Sequence, residues 1–304
     1  MQGVRLALEY MLVSIVIINY NTFQLTCDCI ASVIAYTKEV DYEIILVDNA
    51  STKDDPDDFL VKFPSINLVK SKENGGFAKG NNLGISHAKG DLILLLNSDT
   101  YLTEDCISKA AYKYQEIAHL GALSVKVVYP DGRYQNMARR FRSIRNELLD
   151  IMRPLLLLLP YRQRAILMLN QYFKGDFSTG CDWVSGAFMM MPKDMIGKLE
   201  GGRLDERFFM YGEDHLWCYQ FTELGYTNYY YADALVYHIA NASTEPAKQL
   251  KLLKTMMKHE LEIMAYRKGK GAYYILFKWI FSAKEYFRYY VKVMMWKLLK
   301  HKMR

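Results

Sequence analysis

Three aspartates, a glutamate and a histidine stand where side chains could do chemistry. Asp99 closes the apolar run LLLNSD (94–99), which puts a carboxylate on rigid backbone just past a strand. In that position it could hold Mg2+ or Mn2+, hard cations that take oxygen ligands and bridge to phosphates. Asp48 ends YEIILVD (42–48) in the same way, and each could equally be a solvated residue at a helix entry. Glu213 and Asp214 lie among aromatic residues in DERFFMYGEDHLWC (205–218), at the expected start of a helix. Low polarity raises a carboxylate's pKa, while a helix N-terminus or a cation opposes the rise. A carboxylate so placed suits proton removal from a hydroxyl, although an acidic first turn answering the helix dipole is the plainer explanation. His238 in VYHIANAST follows an apolar strand, and it would ligate a metal only with Asp99 beside it. In WVSGAF, Trp183 offers a ring for stacking and Gly186 a close backbone approach, and a core strand accounts for both nearly as well.

The loop ENGGFAKGNNLG (73–84) looks like a phosphate cradle but fails both familiar tests. A P-loop needs GxxxxGK[ST], whereas Gly80 is followed by Asn81 and Asn82. A dinucleotide fingerprint follows the first strand, and these glycines follow the third. Alone, the loop reads as a turn and a helix start.

The elements that must position these residues alternate. LVSIVIIN (12–19), YEIILVD (42–48), INLVKS (66–71) and DLILLLN (91–97) are apolar strand patterns of the kind buried on both faces. Helical stretches are expected at 22–36, 55–62, 78–88 and from an N-cap at Thr103 to about 118, followed by a strand at 121–129. Strands alternating with helices imply βαβ units and a mostly parallel α/β sheet of Rossmann type with flanking helices. Ligands bind beyond the carboxyl ends of such strands. NYN (19–21), DNAST (48–52), ENGG (73–76) and NSD (97–99) all fall there, so one crevice could collect them. The pattern lapses from 136 to 180 and resumes with one strand at 183–192, two short strands within 226–238 and a long helix at about 245–267.

Composition narrows the class. Half the 304 residues are apolar (51%) and 24% are charged, as in a globular protein. The net charge of +6 is uneven: Lys258 to Arg304 holds 12 Lys/Arg against 3 Asp/Glu, which leaves the first 257 residues at −3. Five cysteines without a CxxC pair suit a reducing compartment. MQGVRLALEYM reads as a short leader to the first strand, and no apolar run is long enough to span a membrane. The basic, aromatic C-terminal stretch, with Trp279 and Trp296, has the character of helices lying on an anionic membrane surface. Packing on the body or on a homodimer partner is the alternative. Nucleic acid is not expected, since no recognition module accompanies the basic run.

Taken in order, VSIVIINYN, ILVDNAST, ENGGFAKGNNLGI, LLLNSD, WVSGAFMMM, FFMYGEDHLWC and YHIANAST resemble family 2 glycosyltransferases of the GT-A fold, most of all the rhamnosyltransferase-like branch. The resemblance covers residues 12 to 245. It implies a catalytic domain at 1–245 and an inverting, metal-dependent transfer from a dTDP- or UDP-linked sugar to a glycan in polysaccharide synthesis. The basic, aromatic residues at 246–304 would then be a helical, membrane-associated extension, and the acceptor a lipid-linked glycan at the cytoplasmic face of the cell membrane. The donor would meet Asn19, Tyr20, Asn21, Asp48, Asn49, Gly75, Gly76, Asn81, Asn97, Ser98 and Asp99. Asp99 and His238 would hold Mg2+ or Mn2+, Asp214 would be the catalytic base, and Trp183, Gly186 and Glu213 would lie on the acceptor side. The chain departs from the family pattern at Asn97, where the first carboxylate of D-x-D would stand. Further on, Leu216 replaces the second aspartate, and Gln220 the arginine, of E-D-x-D-L-C-x-R. The rival readings are an inactive scaffold of a glycan-assembly complex and a sugar nucleotidyltransferase, which would need a glycine-rich signature where NYNTFQL stands.

Overall fold

A computed structural model describes residues 11–240 and 246–302, with side chains from 249 to 295 in the second stretch. The leader before Met11, the HIANAST residues after Ala240 and the side chain of Trp296 lie outside the described residues. Two compact units form: one from the residues up to Arg140 together with Leu169–Ala240, the other from Phe141–Met168 and the residues after Ala240.

The first unit is built on a sheet. β1 (Leu12–Asn19), α1 (Phe23–Tyr36), β2 (Asp41–Asp48), α2 (Asp58–Lys62), β3 (Asn67–Lys70), α3 (Gly76–His87) and β4 (Leu92–Asn97) follow the alternation expected. β5 (Thr100–Leu102), α4 (Cys106–Glu116), β6 (Leu120–Val128) and β7 (Ala138–Arg139) come next, with Asp105 rather than Thr103 capping α4 by accepting from Ser108 N–H. α5 (Ile144–Ile151) and α6 (Tyr161–Leu167) occupy the stretch where the pattern lapsed, and both belong to the second unit. The first unit resumes with β8 (Thr179–Cys181), β9 (Trp183–Val184), β10 (Phe188–Pro192), α7 (Lys193–Ile196), α8 (Glu213–Glu223) and β11 (Thr227–His238).

The strand order is β3-β2-β1-β4-β10-β6-β11-β5, with β8 also on β11. The first four are parallel, and β10 runs antiparallel to both β4 and β6. β1, β4 and the Ile44–Asp48 part of β2 are almost wholly buried, which explains their runs of Val, Ile and Leu. Register then sets the site: Asn19 lies beside Asp48, and Ile18 beside Asn97, so the polar ends of three strands reach one edge. The expected strand at 183–192 is split, because the chain turns at Ser185–Ala187 between β9 and β10. The two short strands expected at 226–238 are one, β11, with a bulge between Tyr231 and Leu235.

The second unit is helical. α9 (Pro246–Lys268) and α10 (Ala272–Lys302) pack through Met257, Met264, Phe277 and Phe281, with Ile144 of α5 against them. No helix among the described residues is long and apolar enough to cross a membrane.

Candidate active site

The site grows from the carboxyl ends of β1, β2 and β4. Asn19 is buried and donates from Nδ2 to Asp48 Oδ1 at 2.8 Å and to Ser51 Oγ at 3.0 Å. Its Oδ1 accepts from the hydroxyls of Thr22 (3.1 Å) and Thr26 (3.0 Å). Asp48 Oδ2 accepts from Ser51 N–H at 3.0 Å, closing a network that fixes both loops. Asn21 Oδ1 accepts from the backbone of Thr52 (2.8 Å) and Lys53 (3.1 Å), while Tyr20 next to it is exposed. Asn49 ties the second loop to the glycine loop: its Nδ2 donates to Asn74 Oδ1 at 3.0 Å and its Oδ1 accepts from Gly75 N–H at 3.2 Å.

The glycine loop is a joint rather than a cradle. Gly76 has φ +82°, and a Cβ there would lie 2.3 Å from the Phe209 carbonyl oxygen. Phe77 N–H donates to that oxygen at 2.9 Å. Asn81 is buried and turned into its own helix, donating to Phe77 O at 3.0 Å, so it does not line an open surface. Asn82, unremarked in the sequence, instead holds the 204–206 segment through Leu204 O (2.8 Å) and Glu206 Oε1 (2.9 Å).

Asp99 and His238 meet, as the histidine reading required. His238 Nε2 lies 3.0 Å from Asp99 Oδ1 and 3.3 Å from Asn97 Nδ2. Gln135 Nε2 donates to His238 O at 2.7 Å, which turns Gln135 Oε1 toward His238 Nδ1 at 2.8 Å. Gln135 Oε1 accepts from Nδ1–H, so Nε2 is the ring nitrogen turned toward Asp99. Burial pushes Asp99 up, but the hydrogen bond and charge of His238 and the N–H of Ala240 outweigh it and hold the carboxyl below its usual range. An oxygen and a nitrogen donor 3.0 Å apart, with the tautomer fixed from behind, fit a divalent cation. Among the described residues one group of three clustered carboxylates occurs, Glu147, Asp150 and Glu285 in the second unit, and the Lys284 ammonium fills it. Ser98, between Asn97 and Asp99, brings its hydroxyl within 3.4 Å of the Thr22 hydroxyl.

Gly186 and Asp214 connect to the end of β4 through the turn between β9 and β10. Asn97 N–H donates to Ala187 O at 3.1 Å, and Gly186 N–H donates to Asp214 Oδ2 at 3.2 Å. Two hydrogen bonds thus link the β4 end that carries Asp99 to the turn that holds Asp214. Asp214 Oδ1 also accepts from His215 N–H at 2.8 Å. Burial drives Asp214 above the usual carboxylate range, against the charge of Arg139 and these N–H groups. Glu213 is pushed up as well, by burial and then by the charge of Asp214, and its Oε2 has no hydrogen-bond partner. The left-handed Gly212 (φ 96°) starts α8 so that the pair enters its first turn.

Trp183 corrects one expectation. It is 8% exposed, stacked on the His215 ring at 5.0 Å with the Arg139 guanidinium 4.8 Å from its centre. It supports the floor beneath Asp214 rather than offering an open ring. Gly186 has its close approach: a Cβ would come 3.1 Å from the Phe77 ring. Gln220, where the family arginine would stand, donates to Asp205 Oδ2 at 3.1 Å, and Leu216 is core. Ser51, Gln135 and Arg139 were missed. Ser51 had a signal in its place within DNAST, whereas Gln135 follows the last strand pattern and Arg139 sits in the stretch without one.

A mostly parallel strand core with acidic and amide side chains along its carboxyl edge, and a carboxylate pair across a turn from it, is the arrangement of a GT-A fold. The chain matches the description of "Glycosyl transferase family 2" over residues 14–182, more than half its length, and belongs to that family. It is 32% identical over 108 residues to the glycosyltransferase GlyG of Streptococcus pneumoniae, 34% of this chain and 36% of that protein, so it spans about a third of GlyG's length. It is 24% identical over 225 residues to the N-acetylglucosaminyl-diphospho-decaprenol L-rhamnosyltransferase of Mycobacterium tuberculosis, covering 68% of this chain and 70% of that one. Among solved structures, the Pyrobaculum calidifontis mannosyltransferase PcManGT in complex with GDP-Man and Mn2+ superposes with a TM-score of 0.56 at 18% identity, over 90% of this chain and 69% of that one. GalNAc-T7 with UDP, GalNAc and Mn2+ gives 0.57 at 14%, over 83% and 47%. The likeness to the solved structures bears on fold, and the family match on membership.

Proposed function

We propose that this enzyme moves a sugar, with inversion, from a nucleoside diphosphate to a glycan hydroxyl. The observation that carries the reading is the shared edge on which Gly186 N–H holds Asp214 while, two residues from Ala187's partner Asn97, Asp99 faces His238. Asp48, Asn19 and Asn21 line the nucleoside end, with Ser51 bracing them. Asp99 and His238 would hold a Mg2+ or Mn2+ ion, which when bound supplies positive charge to the departing diphosphate. Asp214 takes the proton of the attacking hydroxyl, and its raised pKa makes it a better proton acceptor than an ordinary aspartate once ionised. Removing that proton as the alcohol attacks from the far side of the sugar gives in-line displacement through an oxocarbenium-like state.

A lipid-linked acceptor is supported by the relative that aligns over two thirds of the chain, an L-rhamnosyltransferase acting on a decaprenol-linked sugar by its name; a dTDP- or UDP-linked donor is the part of the reading that the panel of nucleotide sugars tests. The basic C-terminal residues suit work at the cytoplasmic face of an anionic membrane. A dimer has no structural observation behind it, and intact Asp99 and Asp214 weigh against an inactive scaffold.

The test is donor turnover by the purified protein over a panel of nucleoside diphosphate sugars, with chelator and with Mn2+ restored. Turnover that vanishes on chelation, returns with Mn2+ and is lost in Asp99→Asn is expected. Undiminished turnover after chelation, or in that variant, would sink the assignment of the ion to this pair.

A further inference from the structure

The second unit is turned partly inside out. Lys284 of α10 is 4% exposed and pairs with Glu147 and Asp150 of α5 and with Glu285. Arg288 and Arg153 also pair with Asp150, and Arg142 pairs with Glu147 at 3.0 Å and with Glu260 at 3.3 Å. Four cations and four carboxylates thus form an internal network of no net charge.

Large apolar side chains face outward instead. On α10, Leu276, Trp279, Phe287, Tyr290 and Met294 are 52%, 72%, 70%, 63% and 56% exposed. With the exposed Ala283 they recur at steps of three and four residues, five steps in eighteen residues. That is the 3.6-residue period of a straight helix, so they form one stripe along one side. Phe277, Phe281, Lys284 and Arg288 form the inner face. A coiled-coil seam would instead keep a 3.5-residue period, which drifts off such a stripe. The same part of the sequence carries the surplus of 12 basic over 3 acidic residues, and Lys278 and Lys292 are exposed on the side of the helix away from the stripe, the division of an interfacial amphipathic helix. Two copies meeting through the stripe would bring two such basic regions together, whereas an anionic bilayer complements the charge.

We infer that the outer stripe of α10 is a lipid-inserting face, which lies in the headgroup boundary of an anionic bilayer with Trp279 and Phe287 at its centre. This rests on the proposed membrane-side function for its purpose, though not for its test. The basic surplus of the region draws the helix to the surface, and the stripe holds it there by burying apolar area. The paired charges on the inner side let α10 keep its hydrocarbon outward without exposing an unpaired ion.

The full chain is floated with vesicles of phosphatidylcholine and phosphatidylglycerol, and with phosphatidylcholine alone, at low and high salt. Wild type should bind the anionic vesicles and keep a measurable fraction bound at 0.5 M salt, a roughly chosen condition that screens exposed charges. The double variant Trp279→Glu, Phe287→Glu should lose binding at least about tenfold, following the cost of moving apolar area and charge into the interface. Donor hydrolysis in solution should not change, because neither residue belongs to the catalytic edge; loss of hydrolysis in wild type too would count against the enzymatic reading alone. Circular dichroism of the variant checks that α10 is intact, with the milder Phe287→Ser, Trp279→Ser pair as a second probe. Unchanged vesicle binding in both variants, binding abolished by salt alone, or sedimentation showing a wild-type dimer that the variants dissolve would each overturn the inference.

Discussion

Asp214 shows how a fold can hold a base in a state that opposes its own stability. Its oxygens accept from the N–H groups of Gly186 and His215, yet burial still drives its pKa up. The folded carboxyl therefore keeps its proton to a higher pH than the unfolded chain does. Stability falls as pH rises between the unfolded and folded values, and it is not regained above them. Asp214→Asn removes this penalty while removing the base. Turnover should fall about 10²- to 10⁴-fold, with a Tm at neutral pH equal to or above that of wild type. Thermal denaturation and turnover on one preparation check both, and a lowered Tm would point to damage instead. The same shift places the acid limb of kcat against pH above about 3.9, the ordinary aspartate value; a limb at or below it contradicts the assignment. At this scale the sequence drew attention to Asp48, Asp99 and His238 because each ends or follows a readable apolar strand, and to Asp214 because it stands among aromatic residues at a helix start. It could not name Gln135 or Arg139. Their value comes from what folding brings beside them: the His238 ring and carbonyl for one, Trp183 and Asp214 for the other.

The elements carry a second lesson in α3, whose N-terminus is locked to the 205–212 segment. Gly76 has a left-handed φ of +82°, and a Cβ there would meet the Phe209 carbonyl oxygen at 2.3 Å. Backbone cannot yield as a side-chain tip can. Gly76→Ala should therefore cost more than the roughly 1–3 kcal/mol of a strained backbone residue alone, seen as a fall in Tm and in donor affinity together. Gly80→Ala meets only the Ile18 Cδ1 at 3.0 Å, the movable end of a side chain, and should cost less. Equal losses in the two would show that the loop is not the rigid joint described. Parallel strands were legible because burial on both faces demands continuous Val, Ile and Leu, as in β1, β2 and β4. β5 was not, since three residues pairing antiparallel with the far end of β11 leave no period to read. The break between β9 and β10 was hidden too, because WVSGAFMMMP is apolar through a turn that exists to deliver Gly186 N–H to Asp214.

Across the whole molecule the two units are held by different physics. The body rests on a hydrocarbon core around its sheet, whereas the second unit combines the Met257–Phe281 cluster with the network around Lys284. This inversion is why 136–180 looked patternless: α5 turns Glu147 and Asp150 inward and Leu148 and Ile151 out, the reverse of the usual amphipathic rule. A network of that kind is fragile to the loss of one member. Lys284→Met would leave Glu147 and Asp150 buried without their shared cation, a change that typically costs about 3–5 kcal/mol. Asp150 is pushed up by burial but held well below the usual carboxylate range by Arg288, Lys284 and Arg153. A depressed folded pKa means stability that is full above the unfolded value and lost as pH falls through the folded one. The wild-type unit should therefore stay folded through mildly acidic pH and open only in stronger acid. Lys284→Met should expose the amides of α5, α9 and α10 to hydrogen exchange at neutral pH, with β1, β2 and β4 still protected. If the sheet lost protection in step with those helices, the units would be one cooperative body, and the division of stability between hydrocarbon and paired charge would be wrong.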